Sequence, residues 1–105
     1  MLKGKTAIVT GSTSGIGQGM ARALAKAGCN AVLNGFGDPA QIEQDRASLE
    51  RDTGSGILFH PADMTMPAQI ADLVDMARKN LGSVDIIVNN AGVQHVAPID
   101  EFPPE

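Results

Sequence analysis

Short apolar runs alternate along this chain with longer stretches in which apolar and polar residues are interleaved. Three of the runs are continuous triplets: Ala7-Ile8-Val9, Ala31-Val32-Leu33 and Ile57-Leu58-Phe59. A short continuous apolar run is typical of a strand that is covered on both faces of a parallel sheet. A fourth run is rich in β-branched residues. The predicted strands are Lys5–Thr10, Asn30–Asn34, Gly56–His60 and Val84–Val88.

Two of the segments between these strands have the apolar spacing of one helix face. The first helix is predicted to follow a glycine-rich turn and to run to about Ala27, where Gly28 suits a left-handed C-terminal cap. The other begins at Thr65 or Pro67 and ends before Gly82. The apolar faces comprise Ile16, Met20, Ala23, Leu24 and Ala27 in the first helix and Ile70, Leu73, Val74, Ala77 and Leu81 in the other.

A less amphipathic helix is predicted between the second and third strands. Asp38, Pro39 and Gln41 stand where an N-cap residue, a first-turn proline and a capping-box partner belong. This helix runs to about Asp52. Its apolar side is thin, so we expect it to lie largely exposed on the flank of the sheet.

The strict alternation of strand and helix predicts an α/β fold with a parallel sheet and right-handed crossovers. We expect the first half of a Rossmann-type doubly wound sheet, with strand order 3-2-1-4 and a switch point between strands one and four. Residues 1–105 would form the N-terminal, cofactor-binding part of one incomplete dinucleotide-binding domain. The apolar edge at Ile86-Ile87-Val88 would be unpaired, which favours a longer polypeptide or a covering chain.

Composition narrows the classes of function. A net charge of −4 without a basic run argues against nucleic acid and anionic membrane as partners. Three Phe, no Trp and no Tyr argue against a base-stacking platform. One cysteine, Cys29, fits a reducing compartment; with no signal peptide and no apolar run near the ~18 residues of a membrane span, a cytoplasmic protein is predicted. Two His and one Cys form no metal-ligand cluster, so no metal site is predicted.

The candidate site is the stretch Thr10-Gly11-Ser12-Thr13-Ser14-Gly15-Ile16-Gly17, between the first strand and the first helix. The N–H groups at a helix start have no intrahelical partner, and the helix dipole adds positive charge there, so this turn suits a phosphate. Glycine permits positive φ and a close approach of a pyrophosphate to the backbone. The alternative is a loop that uses glycine only to turn. Three more segments follow the other strands to the same edge of the sheet: Asn34–Asp38, Ala62–Met64 and Asn89–Gly92.

Together these segments resemble a known family. Thr10–Gly17 is similar to the T-G-x-x-x-G-x-G turn of short-chain dehydrogenases/reductases, Asn89–Gly92 to their N-N-A-G motif, and Ala62–Met64 to their adenine-side aspartate segment. The resemblance covers essentially the whole chain. Residues 33–38 and 90–95 are most similar to the bacterial subgroup that acts on D-3-hydroxybutyrate. The resemblance therefore implies hydride transfer between NAD and a short D-3-hydroxy acid, and a homotetramer.

The resemblance also implies roles for individual residues. The implied cofactor-binding residues are Gly11, Thr13, Ser14, Gly15, Ile16, Gly17, Phe36, Asp63, Met64, Asn90, Ala91 and Gly92. Asp63 would accept a hydrogen bond from the adenine amino group, with Met64 beside the ring and Phe36 near the adenosine. Gln94 would donate to the carboxylate of the substrate. The alternatives are a surface turn at Asp63, a strand-ending turn at Asn90 and a solvated loop glutamine at Gln94.

The segment after the second strand predicts NAD over NADP. A 2′-phosphate calls for Arg or Lys nearby, and neither stands at Thr13, Ser14 or 34–38. The carboxylate that many NAD sites place just after this strand is missing too. Asp38 comes late, and its cap signature predicts that it satisfies a helix N-terminus. In the resembling subgroup, the backbone there can replace the missing carboxylate.

The catalytic groups that the resemblance implies are not in this chain. The family uses a Ser, a Tyr and a Lys, with the last two in Y-x-x-x-K spacing, but the chain has no Tyr. No catalytic residue is therefore predicted here, and that segment is expected after Glu105. Two alternatives stay open: a 3-ketoacyl reductase of the same family using NADPH, and a nucleotide-binding or interaction module without catalysis.

Overall fold

The structure is a computed structural model that describes residues 2–90. Within this range strands and helices alternate as the sequence predicts, and their bounds differ from the predicted ones by at most two residues. The elements are β1 (Thr6–Val9), α1 (Gly15–Lys26), β2 (Asn30–Asn34), α2 (Pro39–Thr53), β3 (Ile57–His60), α3 (Pro67–Leu81) and β4 (Ile86–Val88). None of these helices combines the length and apolar content that a bilayer crossing requires.

The four strands form one parallel sheet in the order β3-β2-β1-β4, which confirms the predicted topology. The register aligns the carboxyl ends of the strands. Val9 of β1 is paired with Leu33 of β2 on one side and with Val88 of β4 on the other. Asn34 of β2 is paired with His60 of β3. The loops that leave these strands consequently begin along one edge of the sheet.

Helices cover both faces of the sheet. Neighbouring strand residues point to opposite faces, so Val9 packs with Ala21 and Ala25 of α1, whereas Ile8 packs with Leu73 and Ala77 of α3. Leu49 of α2 joins the first cluster. Burial on both faces explains why β1 and β2 are continuous apolar runs and not alternating ones. Each fully buried Ile or Leu side chain contributes about 1.5–3 kcal/mol to folding.

Helix ends follow the predicted cap residues, with one difference. The Asp38 carboxylate accepts the Gln41 N–H at 3.0 Å, so Asp38 caps α2 as predicted. The side chain of Gln41 does not complete a capping box, because its Nε2 donates to Asp45 at 3.0 Å. Gly54 ends this helix with φ of 74°. Ile42 and Leu49 are the buried residues of α2, which confirms its exposed position.

Candidate functional site

The first turn of α1 is open at the carboxyl edge of the sheet. Ser14 is the N-cap residue, and its hydroxyl makes no capping hydrogen bond. The first N–H to find an acceptor along the helix is that of Gln18, which donates to the Ser14 carbonyl at 3.3 Å. The N–H groups of residues 15–17 have no intrahelical acceptor. Gly15 has φ of 61°, and a Cβ built on it would meet nothing within 4 Å. The helix start therefore offers donors to open space.

Gly17 sits on the other side of this turn, in close contact with the loop before it. A Cβ at this position would lie 2.1 Å from the Gly11 carbonyl oxygen and 2.6 Å from Nδ2 of Asn90. Asn90 is buried, and its Nδ2 donates to the Gly11 carbonyl at 3.1 Å. Gly17 thus lets α1 approach the point where β1 and β4 end.

Asn34, the last residue of β2, ties three strand ends together. Its side chain is 2% exposed, and Nδ2 donates to the carbonyls of His60 at 3.1 Å and Ala62 at 3.0 Å. Its Oδ1 accepts the Gly11 N–H at 3.4 Å. Both donors and the acceptor of this amide are in use, so the glycine loop and the end of β3 are held in register.

Ser12 adds hydrogen bonds between the glycine loop and the backbone of Asn34. Its N–H donates to the Asn34 carbonyl at 2.6 Å, and its hydroxyl accepts the Asn34 N–H at 2.9 Å. The same hydroxyl donates to the Val9 carbonyl at 2.5 Å. Ser12 is fully buried. The sequence alone did not predict the positioning roles of Ser12 and Asn34. For Asn34 there was a usable signal, since a polar residue directly follows the buried apolar run Ala31-Val32-Leu33.

A cleft of about 400 Å³ lies between the glycine loop and the loops after β2 and β3. It brings together residues predicted from three separate segments of the sequence. Its lining comprises Gly11, Thr13, Ser14, Asn34, Gly35, Phe36, Ala62, Asp63, Met64 and Thr65. Among these described lining residues, Asp63 carries the charge and no Lys or Arg is present.

Asp63 is an acceptor on the wall of this cleft. Its Oδ1 accepts from the Thr65 hydroxyl at 2.7 Å and from the Thr65 N–H at 2.9 Å. These two hydrogen bonds hold the pKa of the Asp63 carboxyl below its ordinary value of 3.8. The carboxyl is therefore ionised at neutral pH and can accept further donors. The Asp63 N–H is fixed by Oε1 of Gln69 at 2.8 Å.

His60 and Asp72 hold the end of β3 against α3. The Ala62 N–H donates to Nδ1 of His60 at 3.0 Å. Nδ1 accepts in that bond, and the other ring nitrogen, Nε2, faces Oδ2 of Asp72 at 2.5 Å. The contact fixes the backbone immediately before Asp63.

The loop after β2 forms the opposite wall. Phe36 lines the cleft and is 71% exposed. Ile16, at the start of α1, is 75% exposed but is not among the residues that line the cleft. Asp38, in the loop after β2, caps α2, so its carboxylate is not a free acceptor on this wall of the cleft. Three of the predicted site residues, Ala91, Gly92 and Gln94, lie outside the described residues.

A family model and two relatives of known name all point to the same family of proteins. A family model described as short chain dehydrogenase matches residues 5–105. The chain is 54% identical over 101 residues to the D-beta-hydroxybutyrate dehydrogenase of Rhizobium meliloti, covering 96% of this chain and 39% of that protein. It is 51% identical over 105 residues to the D-beta-hydroxybutyrate dehydrogenase of Cupriavidus necator, covering 100% of this chain and 40% of that protein. The chain spans about two-fifths of the length of these relatives.

Solved structures show the same arrangement of elements. L-sorbose reductase from Gluconobacter frateurii, crystallised with NADPH and L-sorbose, matches with a TM-score of 0.78 and 33% identity. The match covers 97% of this chain and 38% of the reductase.

Proposed function

Because the chain belongs to the short-chain dehydrogenase family, we propose that its residues form the NAD-binding part of an NAD-dependent oxidoreductase. They would constitute the first part of one dinucleotide-binding domain. In the whole enzyme, hydride would pass between NAD and a short D-3-hydroxy acid such as 3-hydroxybutyrate, with acetoacetate as the oxidised product. The cofactor supplies the hydride chemistry, and these residues bind and orient it.

The observation that best supports this proposal is the open start of α1 beside the cleft. The N–H groups of residues 15–17 and the dipole of α1 suit the diphosphate of a dinucleotide. The 400 Å³ cleft suits an adenosine between Asp63 and Met64 on one wall and Phe36 on the other. The ionised Asp63 carboxylate matches the adenine amino group as an acceptor.

The charge of the cleft supports NAD over NADP. A 2′-phosphate is bound by Arg or Lys, and the described lining residues include neither. Their charged member, Asp63, would repel a phosphate. The reductase with the same fold was crystallised with NADPH, so the fold alone does not exclude that cofactor, and the distinction must come from individual side chains.

The substrate proposal rests on two relatives that are more than 50% identical to this chain and are named for D-beta-hydroxybutyrate. The side-chain amide of Gln94 would donate to the carboxylate of the hydroxy acid. The chain contains no Tyr, so we assign no acid–base step to its residues.

Calorimetric titration of the chain with NAD⁺ and NADP⁺ tests the cofactor. We expect NAD⁺ to bind at least about tenfold tighter, because one unpaired phosphate charge costs more than 1.4 kcal/mol. Phe36→Arg places a cation on the exposed wall and should narrow that preference. Asn80→Arg adds the same charge on the last turn of α3 and should leave it unchanged. Tighter binding of NADP⁺ to the wild type would contradict the proposal and favour a ketoacyl reductase.

A chimaera tests the substrate. Residues 1–105 are joined to the part of the Rhizobium meliloti relative beyond its matched region, and reduction of NAD⁺ is followed with D- and L-3-hydroxybutyrate. We expect turnover of the D enantiomer and a large loss in Gln94→Ala, with Gln44→Ala on the exposed side of α2 as the control. NADPH-dependent reduction of an acetoacetyl thioester without hydroxybutyrate oxidation would support the reductase instead. A chimaera that binds NAD⁺ and turns over neither substrate would favour the non-catalytic module.

A further inference from the structure

The segment that follows β3 is held by three contacts, from β3, β2 and α3. The Ala62 N–H donates to Nδ1 of His60 at 3.0 Å, and the Ala62 carbonyl accepts from Nδ2 of Asn34 at 3.0 Å. The Asp63 N–H donates to Oε1 of Gln69 at 2.8 Å. Together these contacts fix the backbone of the cleft wall that carries Asp63.

His60 differs from the other two partners because its ring can gain a proton. The side-chain amides of Asn34 and Gln69 do not titrate, whereas histidine changes its charge between about pH 5 and pH 8. The Ala62 N–H can only donate, so Nδ1 of His60 accepts in the bond between them. A protonated imidazole has a hydrogen on both nitrogens and can accept at neither. Protonation of His60 would therefore break the bond to Ala62. Because Ala62 is buried, an N–H without an acceptor is costly there.

The charged groups near β3 act on the two forms of the His60 ring in different ways. On α3, Oδ2 of Asp72 lies 2.5 Å from Nε2, and a carboxylate at that distance stabilises the protonated ring. On β2, the residue paired with His60 is the neutral Asn34. Arg46 of α2 reaches the opposite end of β3, where its Nη1 donates to the Ile57 carbonyl at 2.8 Å. The ring therefore has opposed contacts on its two nitrogens, one favouring the protonated form and one the neutral form.

The Asp63 carboxylate keeps its charge while His60 titrates. Hydrogen bonds from Thr65 hold the pKa of Asp63 below its ordinary value of 3.8. Gain of a proton at His60 therefore leaves the charge of Asp63 unchanged. What changes is the hydrogen bond that positions the residue immediately before Asp63.

We propose that His60 is a positioning residue that makes dinucleotide binding depend on pH: the neutral ring holds the Ala62 N–H and so places Asp63 for the adenine amino group, and the protonated ring releases it. The proposal rests on the proposed function and deepens it, because it assigns regulation of the adenine side of the site to a histidine that does not line the cleft. The affinity for NAD⁺ is then greatest with the neutral ring and falls as the pH drops through the range in which the ring gains its proton.

Calorimetric titration with NAD⁺ at about pH 8 and about pH 5 tests the role of the ring. The wild type should lose about three- to tenfold in affinity at the lower pH, the contribution of one hydrogen bond. His60→Leu has no acceptor and should bind weakly at both pH values. In His60→Asn, Oδ1 stands near the position of Nδ1 and accepts without titrating, so this variant should restore the affinity and show no decline.

Two further variants test the charge beside the ring. Asp72→Asn removes the carboxylate that stabilises the protonated form, so the decline should move to lower pH. Asp75→Asn removes an equal charge from an exposed position of the same helix and should leave the profile unchanged. A profile that responds equally to both variants would contradict the assigned contact between Asp72 and His60.

The other histidine of the chain, His95, lies outside the described residues and provides a matched control. His95→Gln should keep the decline. A decline that vanishes in His95→Gln, or one that persists in His60→Asn, would overturn the proposal. A wild type with equal affinity at both pH values would do so without any variant having to fold. By linkage, NAD⁺ should also shift the protonation of His60 to lower pH in an NMR titration of the ring, and an unmoved titration would count equally against it.

A dinucleotide with purine in place of adenine separates positioning from a general loosening of the site. This analogue lacks the amino group, so it cannot donate to Asp63 at that position. It should bind more weakly than NAD⁺ at the higher pH and change little at the lower one. If it declined by the same factor as NAD⁺, His60 would act on the whole site and the proposal would be wrong. A wild type that binds NAD⁺ at neither pH would instead refute the proposed function.

Discussion

Two helices of this molecule begin at the same edge of the same sheet and treat their first N–H groups in opposite ways. In α2, the Asp38 carboxylate accepts the Gln41 N–H, and Pro39 at the first position has no N–H to satisfy. In α1, the side chain of the N-cap residue Ser14 makes no capping hydrogen bond, and Gly15 opens onto free space. The start of α2 has its acceptor within the chain, whereas the start of α1 is available to an anion from outside.

The difference arises from the residues at the cap and the first turn, since both helices have the same backbone dipole. A carboxylate at the cap provides the negative charge internally. A glycine at the first position removes the side chain that would cover the donors, and the buried bonds of Ser12 and Asn34 hold the loop in front of them. The comparison therefore separates a helix start that stabilises the fold from one that binds a ligand.

The largest expected effect is on the side-chain hydrogen bonds of Asn34, which hold the glycine loop in front of the open helix start. Asn34→Asp replaces an amide donor by a carboxylate that faces the carbonyls of His60 and Ala62 in a buried site. We expect a loss of about 3–5 kcal/mol in the free energy of unfolding, because the charge is buried without a partner. Urea unfolding measures it. Asn30→Asp is the matched control, since the Asn30 Oδ1 accepts the Gly56 N–H at 2.9 Å and a carboxylate can do the same. Equal losses in both variants would refute the assigned role of Asn34.

The next effect concerns the close approach of α1 to the glycine loop. Gly17→Ala would place a methyl group 2.1 Å from the Gly11 carbonyl, so the helix must shift; we expect a loss of about 3 kcal/mol and of dinucleotide binding. Gly19 lies in the same helix with nothing within 4 Å of a built Cβ. Gly19→Ala should instead raise stability by about 1 kcal/mol through helix propensity. Thermal unfolding of the two variants measures both changes in stability. Equal changes in Gly17→Ala and Gly19→Ala would contradict the packing described.

Changing the N-cap residue of each helix tests the difference between the two helix starts directly. Ser14→Asp should stabilise α1 by about 0.5–1 kcal/mol and weaken NAD⁺ binding at least about tenfold, because its carboxylate would compete with the diphosphate for the same donors. Asp38→Ala should cost about 1 kcal/mol of stability and leave NAD⁺ affinity unchanged. Stability and affinity would then move in opposite directions in Ser14→Asp. An unchanged affinity in that variant would show that the start of α1 does not bind the diphosphate.

The smallest effect is on the titration of Asp63. Thr65→Val removes the hydroxyl that donates to Oδ1, so the pKa of Asp63 should rise toward 3.8. A carboxyl with a lowered folded-state pKa stabilises the fold above pH 3.8, and this contribution is lost as the pH falls through the lowered value. NMR titration of the carboxyl carbon measures the change. The pKa of Asp85 is lowered by Ser83 and by the Thr6 N–H, and it should not move.

Local patterns in the sequence were sufficient for the elements and their order. The apolar triplets, the glycines at helix ends and the Asp38 cap each depend on neighbours in sequence. Strand alternation with helices leaves few parallel topologies, so the order 3-2-1-4 could be predicted as well.

The positioning contacts of the site could not be predicted in this way. Asn34 bonds to residues 23 to 28 positions away, and Asn90 bonds to Gly11 across 79 positions. Such bonds depend on the sheet register and on which way a side chain turns at a strand end, neither of which has a local signature. For the same reason the sequence predicted Thr13 as a hydrogen-bonding residue but not its bond to Phe36.

The most direct measurement is of the backbone N–H signals of the chain by ¹⁵N NMR during titration with NAD⁺. We expect the largest changes to fall on residues 11–17, ADP-ribose to reproduce them, and the first turn of α2 at 39–41 to be unaffected. Changes centred on α2, or none at residues 15–17 while NAD⁺ binds, would contradict the claim that the uncapped start of α1 holds the diphosphate.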